Sequence, residues 1–512
     1  MSTTLLAGCS VNPEVLSIED VELYAVDKHS RVTAGQEDII GPISLYEAMA
    51  RALKYNLDKK VESMEIALRE RQLDLAHYSL LPDIMVNTGY TTRNNYSGGS
   101  SLSLLSRRQS LEPSTSSERQ LFTADLSLSW HVLDFGLSYI RAQQTADKVL
   151  IAEENKRKVV NRIIEDVRSA YWKAVSAKRL KIRLRSLSER VEVALSDSQS
   201  LSERAEASPL TALTYERELV EIKKNIQKLD SDLTVAKTQL AALMNVQPGH
   251  DFTVMIPGGQ PEPRILKYSA EHMVSLALQA RPELREVAYQ SRINSKEAEI
   301  AILEMLPGVS TIASPNYDSN DFLFNNHWAT WGMKASWNLL KVFSYRSRKA
   351  EIDARDYLLD QRALAVTMAV MTQVHVARAR LIHARRQYKT AQHFYSVQRK
   401  ILRQIRSGLA AEKVSEQTAI REEMNALVAR VKLDLAYVEL QTAFANVFAS
   451  MGIDPFGEFV SGDETVSDLA ESLRSGWYNL GDRHVSIDPA DVPQPGSPET
   501  TKFAVLASNR WG

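Results

Sequence analysis

Residues 121–133 read LFTADLSLSWHVL, and hydrophobic and polar side chains alternate through this stretch. Residues 329–340 read ATWGMKASWNLL and alternate in the same way. A period of two over about 11–12 residues predicts a β-strand with one apolar and one polar face. That length is long for a strand of a soluble protein and suits a tilted strand that crosses a bilayer. A half-buried strand of a soluble sandwich would show the same alternation, so the strand by itself leaves both interpretations open.

On the membrane interpretation, the apolar side chains face lipid and the polar side chains face a water-filled lumen. The side chains predicted to face lipid are Phe122, Leu126, Leu128, Trp130 and Val132 in the first stretch and Trp331, Met333, Trp337 and Leu339 in the second. The side chains predicted to face the lumen are Asp125, Ser127, Ser129, Lys334 and Ser336.

The two stretches belong to a tandem duplication. Leu81-Pro82 and Leu306-Pro307 are 225 positions apart, whereas Ser129-Trp130 and Ser336-Trp337 are 207 positions apart. The first copy therefore carries about 18 extra residues between its two strands, in a Ser- and Gly-rich loop. Each copy is predicted to run from a helix that stops at Leu-Pro through two strands into a long helix, a turn and a returning helix.

The long helix of each copy is predicted from residues 138–203 and 344–407, which contain neither Pro nor Gly. Apolar residues recur there every three or four positions, which indicates coiled-coil-like packing. Sixty-odd helical residues make a rod of roughly 100 Å.

These patterns divide the chain into five predicted segments. They are an N-terminal extended segment (1–40), the first repeat (41–248), a Pro- and Gly-rich linker (249–264), the second repeat (265–457) and a C-terminal tail (458–512) that is part packed and part flexible.

The only cysteine of the 512 residues, Cys9, follows Leu6-Ala7-Gly8. This context resembles a bacterial lipobox, in which the thiol after a small-residue cleavage site accepts a lipid, so Cys9 is the predicted lipid-attachment residue. Eight residues precede it and none is basic, which is shorter than a signal peptide and points either to a misplaced start codon or to a truncated start. The alternative is a chance cysteine in a disordered terminus.

Composition and motifs exclude several classes of function. The net charge is -1, which gives no indication of nucleic-acid binding, and no run of about 18 apolar residues predicts a transmembrane helix. Nucleophile-elbow, zinc-protease, phosphate-loop and dinucleotide motifs are all missing from the sequence, and the histidines are scattered. We therefore predict no enzyme activity, no cofactor and no metal site.

Four strands of membrane length cannot close a barrel, and an open sheet edge in lipid costs several kcal/mol for each unpaired backbone group. A membrane protein with this pattern must oligomerise, and three chains would supply twelve strands.

The ordered set of motifs resembles the TolC/OprM family of outer-membrane efflux proteins, over residues 41–456. The resemblance is carried by GPISLYEAMARALKYNLD (41–58), the Leu-Pro strand entries, SWHVLDFGL (129–137) and the duplicated helical turns. It implies a mainly α protein with membrane β-structure: a homotrimer with a 12-strand outer-membrane β-barrel continuous with a periplasmic α-helical barrel. The lipobox resembles that of the lipoprotein branch of the family.

The resemblance further implies a passive outer-membrane channel of a Gram-negative bacterium, fed by a periplasmic adaptor and an inner-membrane transporter, for efflux or type I secretion. Its partners would be outer-membrane lipid and these proteins, without nucleic acid. The residues then expected at the periplasmic tips, in contact with the adaptor, are Arg204, Ser208, Pro209, Arg406, Gly408 and Glu412. The competing interpretation is a lipid-anchored periplasmic coiled-coil adaptor or scaffold.

The sequence also departs from the family pattern at two places. Copy one keeps Asp134-Phe135-Gly136 where strand meets long helix, but copy two has Lys341-Val342-Phe343, so another turn chemistry is expected there. The acidic gate residues expected beyond the helical turns are not matched, and no gate residue is assigned.

Overall fold

The computed structural model describes residues 14–110, 112–203, 209–247, 249–257, 268–453 and 464–483. Two copies of one element series fill most of this length. The first comprises α2 (Leu45–Tyr55), α3 (Leu57–Tyr78), β1 (Asp83–Thr92), β2 (Gln120–His131), α4 (Val132–Glu203) and α5 (Pro209–Leu243). The second comprises α6 (Ala270–Ala280), α7 (Pro282–Leu303), β3 (Gly308–Asp318), β4 (His327–Ser336), α8 (Leu339–Ala410) and α9 (Glu416–Ser450). Helices α1 (Ile18–Val32) and α10 (Val466–Arg483) flank the two copies.

Corresponding helices of the two copies have equal lengths. α2 and α6 have 11 residues, α3 and α7 have 22, α4 and α8 have 72, and α5 and α9 have 35. The duplication is therefore visible in the elements as well as in the sequence. None of the described helices combines the length and the mean hydropathy of a membrane-spanning helix.

The helix predicted to precede each Leu-Pro is two helices, and this part of the sequence-based prediction was wrong. In copy one the break falls at Asn56, whose backbone leaves the helical region (ψ 130°) and whose Oδ1 accepts a hydrogen bond from the Asp58 N–H at 3.0 Å. In copy two it falls at Arg281, directly before Pro282, because a residue before proline is disfavoured in the helical region. Pro282 then occupies the first turn of α7, where its missing N–H costs nothing.

Three residues predicted to lie in strands and face lipid lie outside them. Val132 is the first residue of α4, Leu339 is the first residue of α8, and Trp337 follows the end of β4. In copy two the helix start is capped by Asn338, whose Oδ1 accepts from the Leu340 N–H at 3.1 Å. This is the different turn chemistry expected where copy two lacks the Asp-x-Gly sequence.

The N-terminal segment predicted to be extended contains α1, which is a further correction. Ser17 caps this helix and forms a capping box with Asp20. The start of the predicted linker is also ordered, since Val254 pairs with Ile43 in a parallel bridge and both side chains are buried. In the predicted tail, α10 packs against α2.

The chain folds into two compact units, each of which draws segments from both copies. One unit comprises residues 1–61, 157–281 and 370–512, and the other comprises 62–156 and 282–369. The predicted repeats reflect the duplication of the sequence, whereas the two units reflect which segments pack together in space. The two divisions therefore do not coincide.

The first unit is a helical bundle with a continuous apolar core. Side chains from α4, α5 and α9 meet in this core, which consists mainly of Leu180, Leu184, Leu187, Val191, Leu219, Ile226, Ile420, Met424, Leu427 and Val431. Helix α8 buries one narrow stripe, in which residues three, four or seven positions apart recur between Val370 and Tyr388.

The second unit consists of the sheet and the helices that enter and leave it. Leu137 and Ile140 of α4 are buried against Ile300 of α7. Arg292 of α7 holds Asp147 of α4 through two nitrogens, one of them at 3.0 Å. The two strand connections differ greatly in length, because residues 93–119 join β1 to β2 and residues 319–326 join β3 to β4.

Candidate functional site

The four strands form one antiparallel sheet in the order β1-β2-β3-β4. Residues directly opposite one another in such a sheet lie on the same face. Ile84 pairs with Leu128, Leu128 with Ala313, and Ala313 with Trp331, so these side chains form one row across all four strands. The apolar residues of both copies therefore share a face, as the alternation in the sequence predicts.

This apolar face is open to solvent in the single chain. Val86 of β1 is 72% exposed, and Trp331 and Met333 of β4 are 82% and 69% exposed. Single exposed apolar residues are common on soluble proteins, but a continuous apolar face across four strands marks a surface that meets lipid or another protein. Of the residues predicted to face lipid, this face holds Phe122, Leu126, Leu128, Trp130, Trp331 and Met333.

The opposite face is polar. Asn87 donates to Asp125 at 2.8 Å across β1 and β2, and Asn316 donates to Thr330 at 3.0 Å across β3 and β4. Residues predicted to face a lumen all lie on this face, namely Asp125, Ser127, Ser129, Lys334 and Ser336. The apolar exceptions are Met85, Leu121, Ile312 and Trp328. The sheet thus has one apolar face and one face that is rich in hydrogen-bonding side chains.

Strands β1 and β4 are the edges of the sheet, since each pairs with a single strand among the described residues. Each edge leaves a row of backbone N–H and C=O groups for another strand. Four strands in a row, with an apolar face, are suited to addition of further strands at both edges.

The helical turn of the second copy lies between α8 and α9. Helix α8 ends at Ala410, Glu412 follows with a left-handed backbone (φ 59°), and the Lys413 N–H donates to the Gly408 carbonyl at 2.9 Å. A Cβ at Gly408 would lie 2.6 Å from Val414 Cγ2, so a larger residue there would require the Val414 side chain to move. Ser415 caps α9 by accepting from the Thr418 N–H.

A cluster of ion pairs joins α4, α8 and α9 next to this turn. Glu423 of α9 pairs with Arg190 of α4 and, at 2.7 Å, with Arg406 of α8. Arg190 also pairs with Glu416 at 2.5 Å. Partial burial opposes the charge on Arg190, but its hydrogen bonds to Glu416 and Glu423 outweigh that effect and raise its pKa. Arg406, predicted at a tip, therefore holds the turn together.

The turn of the first copy is described only in part. Pro209 is the first residue of α5, as the sequence predicts, and Arg204 and Ser208 lie outside the described residues. Cys9 lies outside them as well. Among the described residues, no three His, Cys, Asp or Glu side chains are grouped closely enough to hold a metal ion.

No protein-family profile matches the chain, and no curated protein matches it by sequence. Solved structures do match its fold. CusC aligns with 82% of this chain and 95% of its own, at 16% identity and a TM-score of 0.61. The Campylobacter jejuni outer membrane channel CmeC aligns with 87% of this chain and 95% of its own, at 14% identity and a TM-score of 0.61.

The chain has the TolC fold. The open state of the Neisseria gonorrhoeae MtrE outer membrane channel is a third example, with 80% of this chain and 89% of its own aligned at 14% identity and a TM-score of 0.61. These matches confirm the fold that the motifs predict for the single chain. At 14–16% identity, the matches show the fold alone. The function has to be inferred from the surfaces described above.

Sequence reasoning missed a group of functional candidates in the TolC-fold helical unit. Arg168 of α4 is buried beside Trp477 of α10 and Gln441 of α9, at the wall of a large cavity. In the sequence, Arg168 is one of many cations on a long helix, and nothing local indicates that it is buried. Its position depends on α10, which the sequence predicts only as part of a tail.

Proposed function

We propose that this protein is the outer-membrane channel of a tripartite export system. It conducts substrates passively after an inner-membrane pump and a periplasmic adaptor have handed them over, by efflux or type I secretion. The observation that carries the proposal is the register of the sheet, which gives both copies one shared apolar face and one shared polar face. The channels named among the matching structures support the proposal through their common fold.

We propose a homotrimer because the edges of the sheet need partners. In lipid, each unpaired backbone group costs several kcal/mol, so β1 and β4 must pair with other strands. Three chains would provide twelve strands in a closed barrel, with Leu128 and Met333 toward lipid and Asp125 and Lys334 toward water.

The helical unit supports the same assembly. Helix α8 carries exposed apolar side chains beside its buried stripe, including Val376, Ile382 and Phe394 at 41%, 41% and 47% exposure. A helix that is apolar beyond its intramolecular contact stripe is suited to a second helical neighbour. A neighbouring copy would cover these residues in the proposed trimer.

We propose that the helical turns contact the adaptor, with Arg204, Ser208 and Pro209 in one turn and Arg406, Gly408 and Glu412 in the other. Photo-cross-linking from position 412 in cells should yield an adduct with a periplasmic adaptor. Position 357, an exposed site on α8 in the other unit, provides the matched control and should yield none. Equal adducts from both positions would contradict an adaptor contact at the turn.

We propose an outer-membrane location with a lipid on Cys9. The barrel would already hold the protein in the membrane, so Cys9→Ser is expected to abolish incorporation of labelled palmitate while trimers still form. Metabolic labelling and cross-linking of the same preparations measure the two effects. A variant that keeps its label would exclude Cys9 as the attachment site, and one that loses all trimers would make the anchor essential for assembly.

The channel proposal is tested by purifying the full chain in detergent and reconstituting it in planar bilayers. We expect heat-sensitive trimers, fractionation with the outer membrane, and stepwise ionic conductance. A monomer that is water-soluble once the lipid is removed would instead support the lipid-anchored adaptor or scaffold. Trimers without conductance under any applied voltage would count against a conduit.

A further inference from the structure

A cavity of about 990 Å³ lies within the helical unit, where α2, α4, α9 and α10 meet. Its wall is rich in aromatic rings, among them Tyr46, Trp172, Tyr437, Phe444 and Trp477. Cavities of this size hold small organic molecules, and aromatic walls favour ligands with an apolar body. Nothing in the proposed conduction requires this cavity, which is formed by the described residues of a single chain.

Arg168 is the unusual polar group of the cavity wall. Its side chain is 1% exposed, and its guanidinium lies 4.0 Å from the centroid of the Trp477 ring. Its Nη2 donates a long hydrogen bond of 3.4 Å to Gln441 Oε1. Its Nε and Nη1 are buried and have no hydrogen-bond partner within the described part of the chain.

A second buried arginine in the same wall has acceptors for its guanidinium nitrogens and provides a comparison. Arg51 is 3% exposed, and its Nε pairs with Glu47 at 3.1 Å. Its two terminal nitrogens donate to the carbonyl oxygens of Glu37 and Asp38 at 2.8 and 2.9 Å. Glu37 is itself paired with Lys54 at 2.7 Å. Two of the acidic residues at the cavity wall, Glu37 and Glu47, therefore pair with other cations.

Arg168 remains a cation despite its burial. Desolvation lowers the pKa of its guanidinium to about 10, which is still far above neutral pH. An isolated buried cation is unfavourable unless an anion or several acceptors compensate it. Among the described residues no carboxylate forms an ion pair with Arg168. The fold thus contains a buried positive charge and two guanidinium nitrogens, Nε and Nη1, that lack a hydrogen-bond acceptor among the described residues.

We propose that this cavity binds a small amphipathic carboxylate, whose carboxylate accepts from the Arg168 guanidinium and whose apolar body packs among the aromatic rings. A monoanion fits better than a phosphate, since a single cation is uncompensated and Glu47 and Glu471 at the cavity wall repel additional negative charge. The Trp477 ring covers one side of the guanidinium and so helps to fix its orientation.

The proposal is tested with 3-phenylpropionate, added to the full-length protein in nanodiscs and followed by tryptophan fluorescence and calorimetry. Trp172 and Trp477 both line the cavity, so we expect a saturable change in their emission. The uncharged amide of the same acid should bind at least about 10-fold more weakly, because a hydrogen bond to a charged group is worth about 10- to 100-fold in affinity.

Arg168→Met keeps an apolar chain of similar length and removes the charge. It should weaken 3-phenylpropionate binding by about 10- to 100-fold. The control is Arg474→Met, at the same cavity but with a side chain 56% exposed and paired with Glu471, which should change affinity less than about 2-fold.

The fold of Arg168→Met is checked separately by its thermal unfolding midpoint without ligand, followed by far-ultraviolet circular dichroism. This midpoint should be no lower than that of the parent protein because an uncompensated charge has been removed. Absence of saturable binding to the parent protein would overturn the proposal. So would equal binding of acid and amide, or equal loss of binding in both variants. Conductance is not a readout, so this test is independent of the channel proposal.

Discussion

Arginine in place of both Leu128 and Met333 is expected to abolish trimers in the outer membrane. The two residues lie on the same face of the sheet, because Leu128 pairs with Ala313 of β3, and Thr311 of the same strand and face pairs with Met333. In the proposed barrel that face meets the hydrocarbon core of the bilayer.

The loss of trimers should be large because the substituted side chains would face lipid instead of water. An arginine facing lipid near the midplane costs about 2–4 kcal/mol, falling toward zero at the interfaces. Two substitutions per chain and three chains per trimer make the total cost comparable to the whole stability of a typical domain. Outer-membrane fractionation followed by cross-linking of intact cells measures the remaining trimer.

The matched control is Ser127→Arg, which places the same cation one residue away on the opposite face. Ser127 pairs with Met85, beside the hydrogen-bonded pair Asn87 and Asp125, on the face proposed to line water. Trimers should form as in the parent protein. If Ser127→Arg fails as completely as the double variant, the sheet does not separate lipid from water in the proposed sense. Normal assembly of the double variant would contradict the assignment of the apolar face to lipid.

Gly452→Ala is expected to destabilise the helical unit by about 2–5 kcal/mol, from backbone strain combined with steric overlap. Gly452 follows Met451, the C-cap of α9, and has a left-handed backbone (φ 70°), which alanine adopts only at a cost. A Cβ there would lie 2.7 Å from the carbonyl carbon of Ala280 and 2.8 Å from the nitrogen of Arg281. Both are backbone atoms, so no side-chain rotation relieves the overlap.

The first copy supplies the control. Asn245 occupies the position equivalent to Gly452, 207 residues earlier, and has the same left-handed backbone (φ 58°). Asn245→Gly keeps that conformation and loses a hydrogen bond from Asn245 Nδ2 to the Val32 carbonyl. Its effect should stay within about 1 kcal/mol. Urea unfolding of the detergent-solubilised proteins, followed by far-ultraviolet circular dichroism, compares the two variants. Equal stability losses would mean that α9 and the α6–α7 junction do not pack as described.

The strands were predictable because their signal is local. The alternation from Phe122 to Trp130 requires only a period of two, and repetition in the second copy strengthens it. The helix starts were less accurate, because capping by Asn338 and the helical conformation of Val132 depend on how strand and helix meet. Boundaries of this kind vary by a residue or two in any assignment.

Other features had no local signal. Pro315 lies in β3 between β2 and β4, although proline normally argues against an inner strand. The proline is accommodated because Leu126 and Ser127 of β2 have no paired residue in β3 in the described sheet. Next to it, Asn316 Nδ2 donates a hydrogen bond to the Ser314 carbonyl. The same holds for Arg168, whose neighbour Gln441 lies 273 positions away in the chain.

The unequal strand connections have a consequence for the cell surface. All four strands meet their helices at one end of the sheet, so residues 93–119 and 319–326 lie at the other end. In the proposed orientation that end faces the medium. The longer connection, with Leu104 and Leu105 at 91% and 100% exposure, would then present more surface to the medium than the shorter one. Most of the chain length on that side of the membrane would therefore come from the first repeat, because its connection is the longer one.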